Sequence, residues 1–260
     1  MDRSVILALY DREQRIDIEY PGLTKEIGGG VVRFTGPPNH ESGNFILYSR
    51  FADENADSVI SEQISHFRAQ QQPFEWKVYE HDSPPDLRAR LVIQGFKPRG
   101  RDIVMVLNVR DAQPRLLRPP HLDVQRLTDA AQLQELTSLL YRVYGMDFNY
   151  LERLLGDDLR DRPYFSSIYS AYVGHELAGV GWIQFPARSQ FASLWGGTVL
   201  PAYRGRGIYR ALLAVRHQEA IRRGYSLITI EAPKSCRGLA EKFGFQMLTY
   251  SHSCLWQPRG

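Results

Sequence analysis

The sequence predicts an α/β (α+β) fold on three observations. Short β-rich runs alternate with runs of helical period, one such alternation recurs in both halves, and a Pro-containing stretch separates the halves. The recurring pattern is a strand ending in Glu, a loop, a short helix and a Gly-Phe pair. It runs from Trp76 through Glu80 to Gly95-Phe96, and again from Ile228 through Glu231 to Gly244-Phe245. Such a repeat reads as two copies of one α/β unit. At 260 residues the chain also exceeds a single domain of ~100 to 200 residues.

The elements follow in order. Residues 31–35 and 45–51 are β-rich, and 56–70 is helical with Val59, Ile60, Ile64 and Phe67 on one side. A strand at 74–79, a short helix at 85–94 and a strand at 103–109 complete the first half. Residues 110–122 hold Pro114, Pro119 and Pro120 among charged residues without periodicity, as a linker does. The expected boundaries are therefore a first domain at 1–112, a linker at 113–122 and a second domain at 123–260. In the second half, a strand at 123–127 precedes a helix capped by Asp129 and carrying Leu133, Leu136, Leu139, Leu140 and Val143. A second helical region at 147–159 and a hairpin of 165–173 with 177–185 lead to a strand at 191–200. A helix over 207–224, apolar at Ile208, Leu212 and Val215, then crosses to a strand at 226–231. Its Arg210, Arg216, Glu219 and Arg222 are expected largely off the apolar face.

Composition narrows the function. A net charge of +3 without a long basic run argues against nucleic acid as a partner. The apolar run 5–10 is short and is followed by Asp11, Arg12 and Glu13, unlike a signal peptide or membrane span. Cys236 and Cys254 are the two thiols, and no Cys or His spacing suits a metal. A cytoplasmic protein without a membrane partner is expected; oligomerisation is left open.

The stretch most specific to a chemistry is 195–210. Val199 and Leu200 end a strand, Pro201 turns the chain, and Arg204-Gly205-Arg206-Gly207 leads into Ile208 and Tyr209 at the start of the long helix. Amides at such a terminus, with glycines that admit close approach and arginines that add charge, favour a phosphate or pyrophosphate. The loop is neither a Walker loop nor the three-Gly dinucleotide fingerprint.

Val199-x-Pro-x-x-Arg204-x-x-Gly207 opening a helix, then the strand 227–231, then a short helix ending Glu241-Lys-Phe-Gly-Phe245, resembles the GNAT superfamily of acyl-CoA-dependent N-acyltransferases over about 121–260. The resemblance implies tandem GNAT-like domains, each a mixed, mostly antiparallel sheet flanked by helices. It implies acetyl-CoA as the cofactor, with the pyrophosphate on the amides from Arg204 to Tyr209. The backbone of Val199 and Leu200 would take the pantetheine arm and supply oxyanion donors between strands that diverge. Tyr209 stands where the family usually has Gly or Ala. The first copy has Arg50-Phe-Ala-Asp-Glu-Asn-Ala56 at the matching place, where Asp53 and Glu54 would cap their own helix and repel a phosphate. It is expected to be a degenerate copy without the cofactor loop.

Acyl transfer to an amine needs a base for the ammonium, donors for the oxyanion and a proton for the thiolate. The positions at which the family often carries its Tyr acid and a Glu hold Ala240 and Ser193. Glu231 is then the candidate base, and Ser235, Cys236, Tyr203 and Tyr250 are candidate acids. Asp147, Glu152, Asp157 and Asp158 are candidates to attract a cationic acceptor. The expected activity is N-acetyl transfer from acetyl-CoA to a primary amine of a small molecule or an exposed peptide. The alternative is a non-catalytic acyl-CoA-binding or regulatory protein.

Overall fold

A computed structural model describes residues 2–37, 43–118 and 121–258; Pro119 and Pro120 of the expected linker lie outside them. In chain order the elements are α1 (Arg3–Tyr10) and a π-helical turn, then β1 (Thr24–Gly28), β2 (Val31–Thr35), β3 (Phe45–Ser49), α2 (Ala56–Ala69), β4 (Phe74–Tyr79), α3 (Leu87–Ile93) and β5 (Lys97–Asn108). There follow α4 (Pro114–Leu117), β6 (Asp123–Arg126), α5 (Leu133–Tyr144), α6 (Tyr150–Asp161), β7 (Ser166–Val173), β8 (Glu176–Gln184), β9 (Phe191–Val199), α7 (Ile208–Arg222), β10 (Leu227–Pro233), α8 (Arg237–Glu241) and β11 (Gln246–Trp256). Among the described residues no helix is long and apolar enough to cross a membrane.

The chain forms two compact units, and their limits differ from the sequence boundaries. Unit 1 comprises Met1–Val104, Ala232–Arg237 and Met247–Gly260; unit 2 comprises Met105–Glu231 and Gly238–Gln246. The last strand falls in unit 1 because β11 pairs antiparallel with β4, from Ser251↔Tyr79 to Trp256↔Phe74. The expected linker is likewise part of unit 2. Pro at the first turn starts α4, Leu116 is fully buried, and Gln113 N donates to Phe243 O at 3.2 Å.

In unit 1, β1, β2 and β3 form an antiparallel meander, and α2 crosses over to β4, which is parallel to β3. The helical period places Val59, Ile60, Ile64 and Phe67 in one core with Trp76, Leu87, Leu91 and Phe96. A second packing centre surrounds Arg15, whose side chain is fully buried. Its Nη2 donates to both oxygens of Asp82 (2.6 and 2.9 Å), and its Nη1 donates to Asp11 (2.7 Å). The guanidinium also lies 3.8 Å from the centre of the Tyr79 ring.

Unit 2 repeats the plan with one more strand. β6, β7, β8 and β9 are antiparallel, and α7 crosses to β10, parallel to β9. Asp129 and Gln132 form a reciprocal capping box before α5. Leu133, Leu136, Leu139 and Leu140 then pack with Leu151, Leu155, Val180 and Trp182.

One expectation fails for α7. It is not polar on one side, since Arg216, His217 and Glu219 are buried beside Ile208, Leu212 and Leu213. The burial is tolerated because each finds at least one partner. Glu219 accepts from Ser167 Oγ (2.9 Å), Tyr169 Oη and Arg223, while His217 Nε2 meets Val109 O at 3.0 Å. Burial, and after it the hydrogen bond to Glu219, pushes the Tyr169 hydroxyl pKa up.

Candidate cofactor and catalytic site

The site begins where two parallel strands part. The β9–β10 register runs from Phe191↔Leu227 to Leu194↔Ile230, but β9 continues to Val199. Within the last paired stretch Ser193 Oγ lies 3.2 Å from Thr229 Oγ1, so the hydroxyl at the expected Glu position serves strand pairing. On its other edge β9 pairs with β8, with Val199 opposite Gly179. Leu200 N donates to Ala178 O at 2.9 Å. The adjacent residue, Val199, therefore turns its N–H and C=O to the opposite edge, toward the opening. Leu200 is corrected as a donor: its N–H is taken by β8, and its C=O accepts from Tyr203 N at 2.9 Å.

A bulge sits just before this edge. Val180 faces Thr198 and Trp182 faces Trp195, so Gly196 and Gly197 stand opposite Gly181. Gly197 also makes room for Tyr209: a Cβ at Gly197 would lie 3.0 Å from Tyr209 Cε2. The Tyr209 ring packs inward, 6.2 Å from that of Phe243. A large helix residue and a missing strand side chain have exchanged volume.

The loop after Val199 closes on itself and leaves the helix end uncapped. Arg204 N donates to Pro201 O (3.2 Å), and Arg204 Nε donates to Val199 O (3.3 Å). Gly207 is the N-cap of α7 at φ +85°, a conformation that favours glycine, and no side chain caps this terminus. The first intrahelical bond is Ala211 N to Gly207 O (3.0 Å), so the amides of the first turn precede the ladder and point along the helix axis. Ile208 is buried, which leaves its amide as its polar contribution. No acidic residue lies in this first turn, and Arg210 Nε there is buried without a hydrogen-bond partner among the described residues. The sequence marks Arg210 only as a polar residue off the apolar face of this helix, not as a cofactor contact. The available signal was a cation in the first helical turn, where the dipole disfavours it.

The candidate catalytic groups divide between the units. Glu231 is the first β10 residue beyond the last registered pair, Leu194↔Ile230. Tyr203 belongs to a strap: its hydroxyl donates to Glu176 Oε2 (2.5 Å), Arg142 Nη2 donates to the other oxygen (3.0 Å), and the Arg206 guanidinium lies 5.1 Å from the ring centre. The bond to Glu176 pushes the Tyr203 pKa up, which makes it a poorer proton donor. Ser235 and Cys236 lie in the segment 232–237 and Tyr250 in 247–260, all within unit 1. There Tyr250 carries the Arg101 guanidinium 3.8 Å from its ring centre. Ala240 is buried and has no proton to give.

Two of the four acidic acceptor candidates share a cavity. An open cavity of about 820 Å³ between α5 and α6 is lined by Asp147 and Glu152 together with Thr137, Tyr141, Phe148 and Arg153. Thr137 Oγ1 donates to Glu152 at 2.5 Å. Asp158 is instead buried beneath Ser166 Oγ (2.5 Å) and Arg162 (2.8 Å), and Asp157 pairs with Arg160. Neither lines the cavity.

A mixed sheet with a parted parallel pair and a Gly-led, uncapped helix terminus beside it is an arrangement that can receive an extended amide arm and an anion. Residues 131–245 match the model of the Acetyltransferase (GNAT) family. Comparison with curated proteins gives no match. Among solved structures, a GCN5-related N-acetyltransferase from Kribbella flavida has a TM-score of 0.73 at 12% identity, covering 99% of this chain and 96% of that one. A functionally unknown conserved protein from Staphylococcus epidermidis has a TM-score of 0.71 at 15% identity, with 94% and 97% covered. A tandem GNAT protein from the clavulanic acid biosynthesis pathway has a TM-score of 0.66 at 11% identity, with 94% and 86% covered. The likeness is one of fold, and it spans both halves.

Proposed function

We propose that this cytoplasmic protein transfers an acetyl group from acetyl-CoA to a primary amine of a small molecule or an exposed peptide, and that the N-terminal copy does not bind the cofactor. The observation that carries the reading is the pairing of the Val199 backbone at the strand opening, whose C=O accepts from Arg204 Nε and whose N–H faces the opening, with an uncapped, Gly207-led α7 terminus. An extended amide arm suits the first and a pyrophosphate the second. The pyrophosphate would take the amides of residues 205–209, with Arg204, Arg206 and Arg210 adding charge.

In the reaction, the neutral amine nitrogen attacks the thioester carbonyl carbon. A C–N bond forms while the carbonyl pair moves onto oxygen, where the Val199 N–H stabilises it. Collapse breaks the C–S bond, and the pair leaves on sulfur. Glu231, directly or through water, takes the proton lost by nitrogen, and water supplies the thiol proton, since a thiol of pKa ~8.5 leaves without a strong acid. Asp147 and Glu152 would draw a cationic acceptor into the α5–α6 cavity.

Free-thiol release with a panel of amines tests this reading. Buried Ala240 and the Ser193–Thr229 contact favour a second one, a non-catalytic acyl-CoA-binding or regulatory protein; tight binding without turnover on a broad panel would establish it. For the base, Glu231→Gln should lower the rate mainly below the acceptor pKa. An unchanged pH–rate profile removes Glu231 from the mechanism.

A further inference from the structure

Behind the β9 bulge lies a cation without a counter-ion. Arg216 is 1% exposed, and among the described residues no carboxylate pairs with it. Its Nε donates to Leu212 O in its own helix (2.9 Å). Its Nη1 donates to both Trp182 O and Trp195 O, each at 3.2 Å. Trp182 and Trp195 are register partners, and the bulge in β9, where Gly196 and Gly197 face the single residue Gly181, begins directly after the second of them. One guanidinium nitrogen thus ties together the two strands at the residue where their pairing is broken.

The strands give up side chains to house it. A Cβ at Gly181 would lie 2.8 Å from Arg216 Nη1, and one at Gly197 would lie 3.5 Å from Nη2. As filler this is a poor solution. A buried charge carries a large desolvation cost, and apolar residues of similar volume often replace such groups without loss. The cost shows in the guanidinium itself, whose pKa burial pulls down to about 10. A stabilising role therefore accounts poorly for a cation at this place. A role in the chemistry accounts for it better, because the bulge immediately precedes the Val199 edge, where negative charge develops on the acyl oxygen.

We infer that Arg216 is a positioning residue for acyl transfer: it pins the carbonyls of Trp182 and Trp195, holds the bulge that presents the Val199 amide, and sets a fixed positive charge behind that amide. This rests on the acyltransferase reading. Arg216 touches neither substrate nor cofactor, so the amides remain the groups that contact the oxyanion. Its charge strengthens them because a preorganised dipole or charge in a water-poor site needs no reorganisation when the oxyanion forms.

The test compares Arg216→Met and Arg216→Lys with the wild-type chain, full length, using acetyl-CoA and an amine that the wild type accepts. Arg216→Met should lower kcat about tenfold to a hundredfold and leave the Kd of CoA, read by calorimetry, within about threefold. Arg216→Lys restores the charge without the fork. It should recover much of kcat at neutral pH and then lose it as pH rises, because a buried Lys titrates well below its usual ~10.4. That descending limb should be absent from the wild-type profile, and a purely structural role would not create it. If Arg216→Met does not fold, the Lys profile decides. Equal loss of kcat, CoA affinity and melting temperature in both variants, or a Lys profile parallel to wild type, overturns the inference. Wild-type protein that binds CoA but releases no thiol with any amine overturns the acyltransferase reading, and this inference with it.

Discussion

β3–β4 in unit 1 and β9–β10 in unit 2 are both parallel pairs that separate partway along, yet only one is closed by its own chain. The β3–β4 register ends at Ile46↔Trp76, while β3 runs on to Ser49. Arg50 N donates to Gly30 O (2.7 Å), as Leu200 N does to Ala178 O, so Ser49 turns its backbone toward the gap as Val199 does. In unit 1 the gap is filled. Ser83 N donates to Ser49 O (3.4 Å), Phe51 N donates to Ser83 O (3.3 Å), and Trp76 Nε1 donates to Ser49 Oγ (2.8 Å). The helix start differs as well: Asp53 and Glu54 precede α2, and Arg90 ties Asp53 (2.5 Å) and Asp57 (3.6 Å) to α3. Two copies of one topology therefore differ in whether a backbone edge is already spent and in the sign of charge at a helix start.

If that difference decides function, breaking the plug should cost stability without creating a site. Asp82→Ala, beside Ser83 of the plug, removes one carboxylate partner of fully buried Arg15 and leaves Asp11 as the other; it should destabilise the protein by about 3 to 5 kcal/mol, the usual cost of removing one partner of a buried ion pair. Urea unfolding reads the loss. Calorimetry on the same variant should still give one CoA per chain, and two sites would mean that the plug alone, not the acidic helix start, excludes the cofactor.

In unit 2 the prediction is reversed, with affinity lost and stability largely kept. Gly207→Val puts a β-branched residue at φ +85°, where it is strained, and should cost at least about a hundredfold in CoA affinity by blocking close backbone approach. Arg206→Ala should cost roughly 1.5 to 3 kcal/mol, about tenfold to a hundredfold, if the side chain leaves the Tyr203 ring to meet a phosphate. Wild-type affinity in both variants would remove the α7 terminus as the binding element.

These contrasts were unequally legible in the sequence. The repeat, the strands 31–35 and 74–79, and the α2 core residues follow from local period, and the structure reproduces them. So does the loop at 204–207, because Gly, Pro and Arg act on their own neighbourhood. What the sequence hid was non-local. β11 closes unit 1 because of a pairing with β4, more than 150 residues earlier in the chain. No periodicity encodes that partner. The buried polar residues of α7 look like a solvated face until the bulge carbonyls and the Ser167–Tyr169 pair are in place. Ser83 is an ordinary loop residue until Ser49 lies opposite it.

The smallest predicted effect sharpens the comparison through histidines. In unit 1, His81 has Asp11 within 2.9 to 3.0 Å of Nε2 and Thr249 Oγ1 at 3.1 Å from Nδ1. In unit 2, His217 has only the Val109 carbonyl, at 3.0 Å from Nε2, and its Nδ1 is buried without a partner among the described residues. A proton on Nδ1 would have no acceptor, and burial lowers the His217 pKa below its usual 6.5. The folded chain then refuses a proton that the unfolded chain accepts, so stability is lost as pH falls through about 6.5 and is unaffected above it. A single proton sets the limit at about 1.4 kcal/mol per pH unit. His217→Gln keeps an amide N–H for Val109 O and cannot titrate. Its urea midpoint should therefore fall less than that of the wild type between pH 7.5 and pH 5, and parallel slopes for the two proteins would show that the buried ring accepts its proton at no cost.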